Sequence, residues 1–99
     1  MDTIERYFAL TAADDVEAFV AQFTDDAVVV DDGHRIDDLR AWRRGTPAVT
    51  HTLDHVEPAD GPTADVTVAG DFPGSPVALR FTFALADDGR IARLDIAPR

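Results

Sequence analysis

Two residues of this chain have the types and the setting for proton chemistry. Asp31 closes a run of β-branched residues, Val28-Val29-Val30, so its carboxylate stands at the end of an apolar strand. Tyr7 lies on the margin of an apolar helical stripe, where a phenol offers a neutral hydrogen-bond donor to a dry site. A carboxylate beside an acidic carbon acts as a general base, and a fixed donor stabilises the oxyanion that forms. Each residue also has a plainer reading. An aspartate that ends a strand beside a turn is common, and a tyrosine at a core edge often serves packing alone.

His51 and His55 stand four apart with Leu53 between them, in a stretch that reads as a strand. Histidine there could serve as acid or base. The spacing suits a metal poorly, because a strand does not bring i and i+4 together as a helix does, and no metal is expected. His34 falls in a turn. Trp42 reads first as a core residue, and Arg43-Arg44 reads as a solvated helix end, well placed for the helix dipole. No Ser-His-Asp order, P-loop or dinucleotide fingerprint occurs, so no cofactor is expected.

Composition removes other chemistries. The 99 residues predict one domain spanning 1–99. There is no cysteine, so thiolate and disulfide chemistry are excluded. All nine basic residues are arginine, which excludes a Schiff-base lysine. A net charge of −10 disfavours nucleic acid and anionic membrane surfaces. No apolar run approaches a membrane span, and no basic segment precedes an apolar one at the N-terminus. The expected location is cytoplasmic.

The elements that must position these residues are legible in outline. Asp2 and Glu5 form a capping box ahead of Ile4, Tyr7 and Phe8, predicting a helix to about Thr11. Asp14 and Glu17 repeat the box, and Val16, Phe19, Val20 and Phe23 at i, i+3, i+4 and i+7 predict a second helix to about Thr24. Ala27 to Asp31 then reads as a strand, and Asp32-Gly33 as a turn. A shorter helix is predicted from Arg35 to Gly45, capped by Asp37 or Asp38, with Ile36, Leu39 and Trp42 or Arg43 inward. Four strands in antiparallel succession follow: Ala48–Glu57, Ala64–Ala69, Val77–Leu85 and Ile91–Ala97. Val77, Leu79, Phe81, Phe83 and Leu85 alternate with small or polar residues, so all five should face the helices. Helices grouped on one face of an antiparallel sheet make an α+β domain.

The stretch Arg6–Asp31 resembles the ketosteroid isomerase-like branch of the NTF2-like, or SnoaL-like, superfamily. The likeness rests on Arg6-Tyr7, Leu10, Asp15-Val16-Glu17-Ala18, Val20, Phe23, Asp25-Asp26-Ala27, Val29 and Asp31, and on the segment Asp87 to Ile91. It implies a cystatin-like cone in which three N-terminal helices pack on a curved antiparallel sheet around an apolar pocket. Members of the family bind steroids, polyketides or terpenoid epoxides there. The resemblance further implies Asp31 as base and Tyr7 as donor, with Trp42, His51, Phe81, Phe83 and Phe19 lining the pocket. The isomerases carry a second, acidic donor on the strand before the last hairpin. Phe81 stands at that place here, and no acidic residue lies between Val77 and Ala86.

Two functions remain open on these grounds. One is an acid–base isomerase, cyclase or hydrolase without metal, acting on a small hydrophobic molecule. The other is a non-catalytic ligand-binding or interaction module. The family habit and the small residues Ala78, Thr82 and Ala84 predict a homodimer through the outer sheet face.

Overall fold

The computed structural model of the protein describes residues 2–46, 48–58 and 61–99. Helix α1 spans Thr3–Ala12, and the Asp2 carboxylate accepts from the Glu5 N–H at 2.8 Å. This satisfies one of the orphan donors at the helix start. The side of α1 that turns inward carries Ile4, Tyr7 and Phe8. Helix α2 spans only Val16–Ala21, capped by Asp15 rather than Asp14, through a 3.0 Å bond from the Ala18 N–H. The expected continuation to Thr24 is replaced by sheet. The Gln22 carbonyl accepts from the Ile91 N–H at 2.8 Å, and strand β1 already begins at Phe23 and runs to Asp31.

The Asp32-Gly33 turn has positive φ at both residues, 51° and 80°. That is the geometry of a two-residue hairpin turn matched to strand twist. It folds the chain into a three-residue strand, β2, His34–Ile36, with Asp31 opposite His34 and Val29 opposite Ile36. Arg35 and Ile36 therefore belong to a strand, and the third helix, α3, is confined to Leu39–Gly45. Asp38 caps it, accepting from the Ala41 N–H at 3.0 Å.

Strands β3 (Val49–Glu57), β4 (Thr63–Gly70), β5 (Val77–Leu85) and β6 (Ile91–Pro98) follow as an antiparallel meander. The whole is an α+β arrangement of three short helices and a six-stranded sheet in the order β2-β1-β6-β5-β4-β3. The sheet is mixed, not wholly antiparallel as expected, because β1 lies parallel to β6. The Asp32 N–H closes that edge on the Ile96 carbonyl at 2.8 Å.

The core lies between the helices and the inner face of the sheet. Phe19, Val29, Val66, Phe83, Ile91 and Leu94 are its largest fully buried side chains. Tyr7 sits among Phe8, Phe19, Phe23, Phe81 and Phe83, with ring centroids 4.9 to 6.4 Å away. The inward alternation of β5 holds from Val77 through Phe83 and fails at Leu85, which is exposed. A bulge between Ala84 and Leu85 breaks the register there.

Candidate functional site

A cavity of about 580 Å³ opens between α1, α3 and the inner sheet face. Each wall follows from the local fold. On β1, Val29 and Asp31 are two residues apart and so share a face. Val29 is fully buried and Asp31 partly so, where the strand ends. The hairpin turn fixes that register, because a slip of one residue would turn Asp31 outward. On α3, Leu39, Trp42 and Arg43 stand at i, i+3 and i+4, on the side that packs inward.

The indole N–H of Trp42 donates to Asp31 Oδ2 at 3.3 Å. The bond ties the carboxylate to α3 and occupies one of its two oxygens. Tyr7 enters from α1, and its backbone carbonyl accepts from the Thr11 hydroxyl at 2.8 Å. Burial pushes the Tyr7 phenol well above its ordinary value. The Thr11 hydroxyl works against that shift, Asp31 adds to it and Arg43 opposes it. The phenol is therefore a protonated donor throughout the neutral range.

His51 lies on β3 against Phe8 and Phe81, with ring centroids at 5.5 and 6.4 Å. Burial, reinforced by the Arg43 charge, holds its pKa below the ordinary histidine value, so the ring is neutral at neutral pH.

For Arg43 the sequence left two readings, an inward position beside Trp42 and a solvated helix end, and the structure takes the inward one. It is no solvated helix end. Its Nη2 donates to the carbonyls of Thr11 at 2.8 Å and Ala13 at 2.7 Å, where α1 ends with its carbonyls unpaired. Its guanidinium carbon lies 5.8 Å from the centre of the Phe19 ring. The signal was present in its spacing from Leu39, but the pair Arg43-Arg44 reads as surface. Arg44 is indeed exposed.

Tyr7, Phe19, Asp31, Trp42, His51 and Phe81 all line this cavity. Phe83, expected with them, is not part of the lining. It is 1% exposed and packs edge-on against the Tyr7 ring, centroids 5.4 Å apart, two residues further along β5 than Phe81. His55 is separated from His51 by a bulge between Leu53 and His55, which hands the inward position to Val56. His55 is exposed and sits 3.1 Å from Glu57. Among the described residues, no group of three or more His, Asp or Glu side chains converges as metal ligands. No described helix is long and apolar enough to cross a membrane.

No family model matches the sequence, and no curated protein does. Solved structures do. A candidate polyketide cyclase (protein SMa1630) from Sinorhizobium meliloti is 34% identical to this chain, with a TM-score of 0.81 over 94% of this chain and 91% of that one. The epoxide hydrolase/cyclase-like enzyme SalBIII, of pyran ring formation in polyether salinomycin, is 18% identical, with a TM-score of 0.75 over 97% and 87%. A protein of ketosteroid isomerase-like fold from Catenulispora acidiphila, crystallised with trimethylamine, is 17% identical, with a TM-score of 0.80 over 97% and 85%. The last two bear on the fold alone.

Proposed function

The chain belongs to the NTF2-like, or SnoaL-like, superfamily, and from that premise we propose that its cavity receives a small hydrophobic molecule and moves a proton on it through Asp31. The supporting observation is that Asp31, tied by Trp42, and Tyr7, kept protonated by burial, border the same mostly apolar cavity.

Asp31 takes the proton from a carbon beside a ligand carbonyl. The electron pair of that C–H bond shifts to form an enolate, whose oxygen accepts from the Tyr7 phenol. Asp31 then returns the proton, to the same carbon or to a conjugated one. Apolar walls strengthen the interaction between phenol and oxyanion, because water does not compete for either. Phe81 carries no donor, so the strand opposite Tyr7 adds nothing polar to the oxyanion.

That same Phe81 favours a second reading, in which the cavity binds without chemistry. Exchange of the α-hydrogens of 2-decalone in D₂O, followed by NMR, separates the two. Asp31→Asn should slow protein-catalysed exchange by about 100- to 10,000-fold while leaving 2-decalone bound. Tyr7→Phe should slow it by about 100- to 1,000-fold. Binding with no catalysed exchange by the wild type would leave the second reading.

A further inference from the structure

The cavity wall carries a cation that no carboxylate among the described residues pairs with. Ion pairs among the described residues engage Arg35, Arg40, Arg80, Arg90, Arg93 and Arg99, and Arg43 is in none of them. Its Nη2 is committed to the end of α1. Its Nε is buried, and among the described residues it meets no acceptor. A buried N–H left without an acceptor costs free energy, and a charged one costs more.

The guanidinium is also held in place. The two carbonyls fix one end, and the Phe19 ring lies alongside at 5.8 Å. Its neighbour Trp42 holds Asp31. Consecutive residues of α3 thus bring a positioned carboxylate and a positioned cation to one cavity that Tyr7 also borders. The same charge opposes the upward shift of the Tyr7 phenol and adds to the downward shift that burial gives His51.

We propose that Arg43 receives the oxygen of the ligand, so that the cavity selects apolar molecules bearing a carboxylate or an enolisable carbonyl over apolar molecules that lack one. This rests on the reading of the cavity as a ligand site and names what that ligand must carry. Guanidinium fits this role because it stays charged and because its N–H groups form a rigid planar fork that matches a carboxylate or an enolate oxygen. In the proton transfer above, a carbonyl oxygen gains charge as Asp31 removes the proton, so its bond to Arg43 strengthens in the transition state. Tyr7 and Arg43 then share the developing charge.

The test compares 1-adamantanecarboxylate with 1-adamantanemethanol, two rigid apolar bodies that differ in the oxygen group. Trp42 is the only tryptophan, so its fluorescence reports occupancy of the cavity. The wild type should bind the carboxylate about 10- to 100-fold more tightly at pH 7.5. Arg43→Gln should erase that preference, and Arg43→Lys, which keeps the charge but not the fork, should keep part of it. Because Arg43 also caps α1, far-UV circular dichroism must show both variants folded. A wild-type measurement removes dependence on them: the guanidinium ¹⁵N–¹H signals of Arg43 should shift with the carboxylate and not with the alcohol. Equal binding of the two probes, or guanidinium signals all indifferent to the carboxylate, overturns the role of Arg43 and leaves an apolar ligand site standing. If neither probe binds at millimolar concentration, the ligand-site reading falls, and this inference with it.

Discussion

The two faces of strands β4, β5 and β6 are built from alternate residues of the same segments and do opposite work. The inner face carries Val66, Phe81, Phe83, Leu94 and Ile96, all buried. The outer face carries Asp65, Arg80, Arg93 and Asp95, joined as Arg80–Asp65 at 2.8 Å and Arg93–Asp95 at 2.7 Å. Period-two patterning lets one strand hold a core and a solvated charge ladder at once. The inner face is itself divided. At Phe83 it is closed over, with the Tyr7 ring edge-on at 5.4 Å, and at Phe81 it borders the cavity. Stability should therefore be concentrated at the filled end, ligand effects at the open end, and little of either on the outside.

The largest effect should come from Phe83→Ala, at about 3–5 kcal/mol of stability, because the ring is surrounded on every side and its loss leaves a void. Phe81→Ala should cost less, toward the lower end of that range, since the truncated site opens into an existing cavity and water can enter it. Urea titration of both variants checks the difference. Equal losses would mean that the inner face is uniform and that the cavity is closed in solution.

What the sequence disclosed divides along similar lines. Some local patterns could be read, as in β5, whose bounds Val77–Leu85 match the alternation, whereas the equally local helical run Val16 to Phe23 is cut short at Ala21 by sheet pairing. The Asp2 cap and the Asp32-Gly33 turn were local signals that held. Bulges were not legible. Each of those at Leu53/His55 and Ala84/Leu85 shifts the register by reference to a partner strand, which a single strand's residues do not record. The parallel pairing of β1 with β6 joins segments more than sixty residues apart, roughly, and has no local signature. Strand β2 was hidden by its length, because three residues carry no period. At the candidate site, Asp31 and Tyr7 were singled out by the family resemblance more than by their spacing, whereas Arg43 was left between an inward position and a helix end, because a cation at a helix end has an ordinary explanation.

The open end should reveal itself at acid pH through His51. Its folded pKa lies below the ordinary histidine value, mainly because burial disfavours the imidazolium and secondarily because Arg43 repels it. The unfolded chain therefore binds a proton before the folded one does. Stability is unaffected by this group above about pH 7 and falls as pH drops through about 6.5, the unfolded value. Histidine Cε1–H titration by NMR should place His51 below about 6.5, and Arg43→Gln should raise it. His51→Gln should flatten the decline in melting temperature between about pH 7 and 5. A His51 that titrates at or above the ordinary value would mean that water reaches the ring freely, and that the contrast between cavity wall and outer face is weaker than the packing against Phe8 and Phe81 suggests.

The smallest effect belongs to the outer face. Arg80 lies across from Asp65 in the β4–β5 register, and the pairing holds the Asp65 carboxyl below the usual aspartate range, chiefly through the hydrogen bond from Arg80. Both groups meet solvent, which screens their attraction, while ordering two flexible side chains consumes part of the gain. Arg80→Gln should accordingly leave the melting temperature at pH 7 within experimental error of wild type. The sign of what remains is set by the carboxylate. A depressed folded pKa stabilises above the unfolded aspartate value and is lost as pH falls through the lower folded value, so any difference between wild type and Arg80→Gln should fade below about pH 4. Added salt should reduce it further. A loss at pH 7 comparable to that of Phe83→Ala would require the charge ladder to carry the fold. The division of labour between the two faces would then have to be abandoned.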